Sequence, residues 1–421
     1  MKNSILKMLA MMLCAVMITA CGGGTSVEET TVLAETSAVS EIAEIEKDIH
    51  TLMVERSLVS MGNSSRVKKK LLQMKSGEET TVAYIGGSIT QGMNAGSEGC
   101  YAKLSYNYLA ENYGTGDNVN YVNAGIAGTP SVLGNLRLER DVLSHKPDIV
   151  FIEFAVNDAQ DLIHKESYES MVKTILSQDN EPAVILLFTI LETGYTCQEH
   201  MSAIGERYDL PMISVGDALT PEFNEGRMVW DDYSNDGSHP HAEGHKLVTE
   251  FIVNYFEKLA ADEAVPDSYE IPKAPLNGWS YENASLAEAG NISDLDGIEL
   301  IETGGFSSEN GTSVAFFNNG WKYTGEGGAM KLKITANAVF IVYKQANSDE
   351  MGSLEVYRDG SKAYTINAND PDGWNNPCAV QVIKRSAVPE MEIELKMADG
   401  SEGKQFEILA IGYSQNEPFT F

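Results

Sequence analysis

The sequence is poor in cysteine and in basic residues. Five cysteines occur among 421 residues, and Cys100, Cys197 and Cys378, the three outside the N-terminal segment, show no C-x-x-C spacing. This predicts neither a zinc site nor a disulfide framework, and the odd number leaves at least one thiol unpaired. The 30 basic and 61 acidic residues give a formal charge of −31, which disfavours nucleic acid or an anionic lipid surface as the main partner.

The N-terminus has the features of a targeting segment. Lys2 and Lys7 precede an apolar run from Met8 to Ala20 that is too short to span a bilayer comfortably. The run ends in Ile18-Thr19-Ala20-Cys21, which resembles a bacterial lipoprotein cleavage site. This resemblance implies a signal peptide over residues 1–20, lipidation of Cys21 and a flexible tether over 21–45. The alternative is a signal peptide removed by ordinary signal peptidase. We expect an extracytoplasmic protein, lipid-anchored at the bacterial cell surface, that touches the membrane only through Cys21.

A first domain, residues 46–262, is predicted to be α/β. Residues 46–74 are expected to form one or two leading helices, and from Glu79 to about Ala261 apolar runs of strand length alternate with amphipathic stretches. The predicted strands are Val82–Ile85, Val119–Ala124, Ile149–Val156, Ala183–Ile190 and Met212–Val215, and the predicted helices are Tyr101–Asn112, Val132–His145, Ser167–Ser177, Gln198–Tyr208 and Ala242–Leu259. The alternation predicts a parallel sheet covered on both faces, with active-site residues outside the carboxyl ends of the strands.

A second domain follows a proline-containing linker at 263–276. Pro266, Pro272 and Pro275 lie in this polar stretch, and beyond it the hydrophobic period changes to two. Asp359-Gly360 and Asp399-Gly400 are typical of hairpin turns. Residues 277–421 are therefore predicted to form an all-β, jelly-roll-like sandwich, possibly carbohydrate-binding.

Ser88 is the candidate nucleophile. It follows a predicted buried strand and the pair Gly86-Gly87, which allows a tight turn. The chain afterwards is expected to be helical, so Ser88 lies where backbone N–H groups can bind a developing negative charge. Taken alone, this stretch is equally compatible with a Gly-Gly-Ser loop that has no chemical role.

Three further stretches supply the groups that a serine nucleophile needs. His239 can be the base, and Asp236, three residues earlier, can reach the other ring nitrogen. The N–H groups of Ser88 and Gly128 and the amide of Asn157 can be the oxyanion donors. Alternatives for these residues are that Asp236 caps the last helix, that Asn157 is a turn residue and that Gly128 serves only backbone geometry. Two neighbouring carboxylates are expected to be structural, namely Glu153 and Asp158.

These four stretches, taken in order, resemble the four sequence blocks of the SGNH hydrolases, also called GDSL-type esterases and lipases. The resemblance covers about residues 81–259 and implies a flavodoxin-like, three-layer α/β/α fold with about five parallel strands. It implies that Ser88, Asp236 and His239 form the catalytic triad, with Gly128 and Asn157 completing the oxyanion hole. Two positions depart from the family pattern: Gly87 stands where aspartate is frequent, and Ala155 where glycine is frequent.

The remaining candidate residues are aromatic side chains and histidines. Trp230 and Tyr233 precede Asp236 closely and could hold a sugar ring, or could equally form a hydrophobic plug under the loop. Trp374 lies in a polar loop of the second domain, where it could stack on sugar or pack at the base of the loop. His239, His241 and His245 have a spacing that could suit a metal, but His239 is needed for the triad. We therefore predict neither a metal site nor a cofactor.

The sequence favours a serine esterase that removes acetyl or other small acyl groups from an oligo- or polysaccharide. SGNH domains joined to β-sandwich domains resemble bacterial carbohydrate acetylesterases. One alternative is a lipase or thioesterase with the same machinery. A second is a glycan-binding lipoprotein without catalysis, which the complete residue set disfavours.

Overall fold

The α/β domain is built on one six-stranded sheet. The computed structural model describes residues 48–262 and 268–417, so the predicted signal peptide, Cys21 and the predicted tether lie outside the described residues. The strands are β1 (Leu58–Ser60), β2 (Thr80–Gly86), β3 (Val119–Gly125), β4 (Ile149–Glu153), β5 (Ala183–Phe188) and β6 (Met212–Ser214). Their order is β1-β6-β5-β4-β2-β3, and β2 to β6 run parallel. Those five strands have the flavodoxin-like order, which confirms the predicted fold class.

Strand β1 is absent from the prediction, which placed only helices in this region. It pairs antiparallel with β6, after helical backbone at 48–56. The strand is three residues long, so it carries no alternating pattern that could identify it. Its pairing depends on the position of β6 in the folded sheet.

Helices cover both faces of the sheet. They are α1 (Ser65–Ser76), α2 (Ser88–Gln91), α3 (Tyr101–Tyr113), α4 (Ser131–Leu136), α5 (Leu138–Asp141), α6 (Leu162–Leu176), α7 (Gln198–Arg207), α8 (Val215–Asn224) and α9 (Ala242–Ala261). The prediction of one helix over 132–145 is wrong, because α4 and α5 are separated at Arg137 and a 3-10 turn, Leu143–His145, follows. The buried guanidinium of Arg137 donates to the backbone oxygens of Ala124 (2.7 Å) and Gly86 (3.1 Å). The chain turns at this point to bring that side chain to the ends of β2 and β3.

The register of the central strands brings their carboxyl ends to one level. Gly86 at the end of β2 lies opposite Gly125 of β3 and opposite Glu153 of β4. The segments that follow these three strands therefore emerge side by side at the same edge of the sheet. They contain Ser88, Gly128 and Asn157.

The second domain is an antiparallel sandwich, as predicted. Its strands are β7 (Ser285–Ala287), β8 (Ile298–Glu302), β9 (Phe306–Ser307), β10 (Trp321–Tyr323), β11 (Met330–Thr335), β12 (Ala338–Ala346), β13 (Ser353–Arg358), β14 (Ser361–Asn367), β15 (Trp374–Lys384), β16 (Glu390–Met397) and β17 (Glu407–Ser414). One sheet has the order β15-β12-β17-β10-β9, with β7 also paired to β17, and the other has the order β14-β13-β16-β11-β8. Alternate apolar residues of both sheets form the buried core between them.

The two domains share an apolar core as well as polar contacts. Leu133 and Leu136 of α4 pack in one buried cluster with Phe340 and Leu409 of the sandwich. The buried carboxylate of Glu169 accepts hydrogen bonds from the backbone N–H groups of Leu276 (2.6 Å), Asn277 (2.6 Å) and Gly278 (3.3 Å). The end of the predicted linker is therefore hydrogen-bonded to the α/β domain, and the sandwich packs against that domain through the shared apolar cluster.

Three cysteines fall in the described ranges, and all three are free thiols: Cys100 and Cys197 are buried and Cys378 is partly buried. No helix within these ranges combines the length and the apolar character needed to cross a bilayer.

Candidate active site

Ser88 is the first residue of α2, immediately after a turn that requires glycine. A Cβ added to Gly86 would lie 2.1 Å from Oγ1 of Thr90, and one added to Gly87 would lie 2.3 Å from Oδ1 of Asn157. Real Cβ contacts are not this short, so a side chain at either position would displace its neighbour. At position 87, where the SGNH pattern frequently has aspartate, glycine lets Asn157 pack directly against the turn.

The three residues predicted as a triad lie within hydrogen-bonding distance of one another. Nε2 of His239 is 2.9 Å from Oγ of Ser88, and Nδ1 of His239 is 3.0 Å from Oδ2 of Asp236. The serine side chain is nearly buried, whereas the imidazole and the carboxylate are partly exposed. Two residues that are 151 positions apart in the sequence are therefore placed for direct proton transfer.

A tight turn holds Asp236 against His239. Oδ1 of Asp236 accepts hydrogen bonds from the backbone N–H groups of Ser238 and His239, both at 2.7 Å. The hydroxyl of Ser234 donates to the carbonyl oxygen of Asp236 (2.7 Å) and also bonds that of His239. The N-cap of α9 is His241, whose ring accepts the N–H of Gly244 (3.1 Å), so the alternative of Asp236 as a helix cap is wrong.

The carboxylate of Asp236 remains ionised well below neutral pH. Desolvation would raise its pKa, but the hydrogen bonds from the backbone and ring of His239, from Ser238 and from Asn94 outweigh it and hold the pKa well below its usual range. Nδ2 of Asn94 donates to Oδ2 of Asp236 at 2.9 Å. The sequence analysis missed Asn94, since the single local signal is an asparagine in a glycine-rich loop, where its positive φ of 65° is tolerated.

The predicted oxyanion donors surround Ser88. Within the described ranges, the N–H of Gly128 donates no hydrogen bond to another residue. Oδ1 of Asn157 is buried without a partner among the described residues and is the amide atom nearest Gly87, which leaves the NH₂ end for the cavity. The backbone at position 128 also requires glycine. Its φ is +70°, and an added Cβ would lie 2.8 Å from the ring of Trp374.

The buried carboxylate of Glu153 is hydrogen-bonded to the turn that precedes Ser88. Glu153 at the end of β4 accepts hydrogen bonds from the hydroxyls of Thr189 (2.5 Å) and Thr90 (3.0 Å) and from the N–H of Gly87. Desolvation raises its pKa in spite of these bonds. Asp158 is also buried and accepts the N–H of Ser131 at 2.6 Å. Both residues were expected to be structural, and neither lines the cavity at Ser88.

The cavity at Ser88 has a volume of about 380 Å³ and is closed on one side by the second domain. Ser88, Gly128, Asn157 and His239 line it, together with apolar side chains that include Met93 and Leu191. Trp374, the first residue of β15, lines the same cavity and is 55% exposed. The alternative that Trp374 packs in the core at the base of its loop is therefore wrong.

The aromatic residues that precede the triad do not reach this cavity. Tyr233 is fully buried in the core of the α/β domain, so its prediction as a substrate contact is wrong and the hydrophobic plug describes it. Trp230 packs on Tyr233, and its indole N–H donates to the backbone oxygen of Asp236. Trp230 lies outside the cavity, and this hydrogen bond connects it to the turn that holds Asp236 and His239.

The histidine cluster is divided among three different roles. His239 bonds Ser88, and His241 caps α9. His245 is buried, and its Nδ1 accepts the N–H of Tyr101 at 3.1 Å. Burial lowers the pKa of His245 to about 4, so the ring is neutral at pH 7. Among the described residues, no group of three potential ligands has the geometry to hold a metal ion.

A serine hydroxyl, an imidazole and a carboxylate joined in this order, beside N–H donors, form the arrangement found in serine hydrolases. The GDSL-like Lipase/Acylhydrolase family matches residues 84–247, which contain all of these groups. The α/β domain is thus similar to this family of hydrolases, also called the SGNH hydrolases.

Solved structures resemble the whole two-domain arrangement. A two-domain esterase active on acetylated mannans is 26% identical, with a TM-score of 0.78 over 86% of this chain and 99% of that chain. The two-domain esterase active on acetylated mannans that was co-crystallized with mannopentaose is also 26% identical, with a TM-score of 0.76 over 86% of this chain and 98% of that chain. Among curated proteins, no sequence matches this chain. The α/β domain is therefore similar to GDSL-like hydrolases, and the two-domain arrangement is similar to that of an esterase active on acetylated mannans.

Proposed function

We propose that this protein is a carbohydrate O-acetylesterase that uses Ser88, His239 and Asp236 as its catalytic triad. The observation that carries the proposal is the composition of one cavity. It contains the Ser88–His239 pair from the α/β domain and, facing that pair, the exposed indole of Trp374 from the sandwich. The pair supports acyl transfer, and the indole supports binding of a sugar ring.

The proposed reaction has two steps. Oγ of Ser88 attacks the ester carbonyl carbon while Nε2 of His239 takes its proton, and Asp236 holds Nδ1–H of the same ring. The N–H groups of Ser88 and Gly128 and the amide of Asn157 bind the oxyanion. When the intermediate collapses, His239 returns the proton to the departing sugar oxygen and an acetyl-enzyme remains. Water, deprotonated by His239, then attacks the acetyl-enzyme and releases acetate.

The size of the cavity favours a small acyl group. About 380 Å³ is near the lower end of the range for small-molecule sites, roughly 300–1,000 Å³, and the sugar must share this space. The indole of Trp374 packs over Gly128 and closes one side. The likeness to an esterase active on acetylated mannans supports a mannan as the polysaccharide.

A substrate panel tests the proposal. Acetate release from acetylated mannan, acetylated xylan and peptidoglycan should be measured beside 4-nitrophenyl esters of increasing acyl length. We expect activity on acetylated mannan and the highest ester rate with acetate. A preference for long acyl chains would instead indicate a lipase or thioesterase, and the absence of all hydrolysis would indicate a glycan-binding protein without catalysis.

The Ser88→Ala variant tests the nucleophile. Because the hydroxyl of Ser88 is the group that His239 can deprotonate, we expect kcat for 4-nitrophenyl acetate to fall by at least about 10⁴-fold. The exposed Ser144 offers a matched control, since Ser144→Ala should leave the rate unchanged. A normal rate in the Ser88 variant would place the nucleophile elsewhere.

We also propose that the mature protein is anchored to the outer face of the membrane through lipidated Cys21. The sequence Ile18-Thr19-Ala20-Cys21 supports this. Labelling with a radioactive fatty acid should mark the wild type, whereas a Cys21→Ala variant should carry no label. Equal labelling of both proteins would contradict the proposal.

A further inference from the structure

A second cavity lies between the two domains, beside the segment that follows Tyr121. It has a volume of about 350 Å³ and is lined by residues 122–126 of the α/β domain and by the loop that carries Phe316, Asn318 and Asn319 in the sandwich. The next residues of the first segment, Ala127 and Gly128, line the cavity at Ser88. The two cavities therefore adjoin one short stretch of chain.

Phe316 has a backbone and an exposure that the fold does not explain. Its φ is +68° and its side chain is 53% exposed. The N–H of Phe317 bonds the carbonyl oxygen of Val314 at 3.1 Å, so Phe316 is the third residue of a tight turn. Glycine or asparagine is usual at such a position, and a bulky residue there is strained. Core packing cannot account for the phenyl ring, because the ring projects at the rim of the cavity.

The polar side of the cavity presents fixed groups of both signs. The guanidinium of Arg140 lies between Oδ1 of Asp141 (2.6 Å) and Oε1 of Glu288 (3.0 Å). Oδ2 of Asp141 also accepts a hydrogen bond from the guanidinium of Arg137 at 3.0 Å, so two cations balance two carboxylates and leave no excess positive charge for an anionic ligand. These groups can donate to and accept from hydroxyl groups, which suits a neutral ligand rich in hydroxyls.

Two asparagines complete the polar lining. The side chains of Asn318 and Asn319 are exposed, and their amides make no hydrogen bond with another residue of the described ranges. Each can offer one acceptor and two donor hydrogens to a ligand. An exposed aromatic ring beside unpaired amides, with an arginine–carboxylate pair opposite, is chemistry that recognises a pyranose ring by stacking and by hydroxyl contacts.

We propose that this cavity is a second glycan subsite, which binds a neutral sugar unit of the same oligosaccharide whose acetylated unit lies at Ser88. Gly125 lines the second cavity and Gly128 the first, and three residues span at most about 11 Å. The linings of the two cavities are therefore closer together than the length of a short oligosaccharide. The proposal rests on the proposed function, since it requires a carbohydrate substrate.

Binding to an inactive protein gives the first test. Unacetylated mannopentaose should be titrated into the full-length Ser88→Ala protein by calorimetry, with and without Phe316→Ala. Loss of the stacking ring should weaken binding about two- to tenfold. Tyr364→Ala removes another exposed aromatic ring of the sandwich, one that lines neither cavity, and should leave the affinity unchanged. An affinity that Phe316→Ala does not alter would overturn the subsite.

A glycine variant separates binding from folding. Phe316→Gly removes the ring and also relieves the left-handed strain, so its melting temperature should equal or exceed that of the wild type. Phe316→Tyr retains a stacking ring and should retain affinity. If Phe316→Gly binds mannopentaose as tightly as Phe316→Tyr does, the ring has no role in recognition and the proposal is wrong.

Substrate length distinguishes the subsite from the proposed function. With Ser88 intact, Phe316→Ala should lower kcat/KM for long acetylated mannooligosaccharides two- to tenfold more than for 4-nitrophenyl acetate. An equal loss at all lengths would overturn the subsite while leaving the esterase function intact. If the wild type itself releases no acetate from any glycan, the proposed function fails instead.

Discussion

The two domains contribute different kinds of side chain to the two cavities. The α/β domain supplies Ser88, His239 and Asp236, and each is fixed by hydrogen bonds to its neighbours. The sandwich supplies Trp374 to the cavity at Ser88 and Phe316 to the second cavity, and these side chains are 55% and 53% exposed. Groups that react must be held in one geometry before the substrate arrives, whereas groups that stack on a sugar must present an open face. Changes in the first domain should therefore affect kcat, and changes in the second should affect recognition of the glycan.

After the loss of Ser88 itself, the largest effect is expected for Asn157→Ala in the α/β domain. Without the amide that binds the oxyanion, kcat should fall by about 10²–10³ at nearly constant KM. Steady-state kinetics with 4-nitrophenyl acetate measure this, and Asn120→Ala, at an exposed position of β3, is the matched control. A change confined to KM would show that Asn157 binds the ground state and not the oxyanion.

The Gly87→Ala variant should lower kcat almost as far. The new Cβ would lie 2.3 Å from Oδ1 of Asn157, so the amide must move. A misplacement of about 1 Å can reduce the rate about 10²-fold. Gly403→Ala adds a methyl group where no atom lies within 4 Å and should be neutral. Wild-type kcat in Gly87→Ala would mean that the contact with Asn157 is not needed.

Acid sensitivity should also arise in the α/β domain. Burial disfavours the charged imidazole ring of His245, so its pKa is about 4 in the folded protein. In the unfolded chain the pKa has its ordinary value of 6.5. As the pH falls from about 6.5 to about 4, the unfolded chain takes up this proton first, so stability decreases by at most about 3 kcal/mol. Urea unfolding at pH 7 and pH 4 should show a smaller difference in His245→Gln.

The matched control for His245→Gln is His145→Gln, since His145 is exposed. It should leave the difference in unfolding free energy between the two pH values unchanged. An identical pH dependence in the wild type and in His245→Gln would contradict the buried neutral imidazole.

A smaller effect, on recognition, is expected for Trp374→Ala in the sandwich. Loss of the indole should lower kcat/KM for an acetylated mannooligosaccharide by about tenfold, and less for 4-nitrophenyl acetate. Tyr364→Ala again provides an exposed aromatic control. An equal loss of kcat/KM for both substrates would show that Trp374 acts by positioning Gly128 and not by binding the sugar. The sandwich would then contribute to catalysis in the same way as the α/β domain.

The smallest effect is expected for Asn94→Gly. Glycine keeps the left-handed backbone of residue 94 but removes the amide that bonds Asp236. The pKa of Asp236 should rise, and kcat should fall about fivefold, because a typical solvent-exposed hydrogen bond contributes about 1 kcal/mol. Asn94→Ala should resemble Asn94→Gly in kcat but be less stable. A rate equal to the wild type would show that the contacts with Ser238 and His239 suffice.

The sequence by itself determined the parts of the protein that depend on neighbouring residues. The buried strands, their alternation with helices and the change of period beyond residue 277 are local patterns, and the fold class follows from them. The Asp236–His239 contact is local as well, because a turn of four residues brings the carboxylate to the ring. Glycines at 86 and 87 likewise indicate the turn that presents Ser88.

Only the tertiary structure decided the features that depend on residues far apart in the chain. Arg137 breaks a predicted helix because it reaches Gly86 and Ala124 at the strand ends. Tyr233 is buried and Trp374 is exposed, although both stand in polar stretches of the sequence. The packing of the two domains decides which ring faces the cavity. Such contacts cannot be predicted from a local pattern, because their free energy depends on which distant surfaces meet when the chain folds.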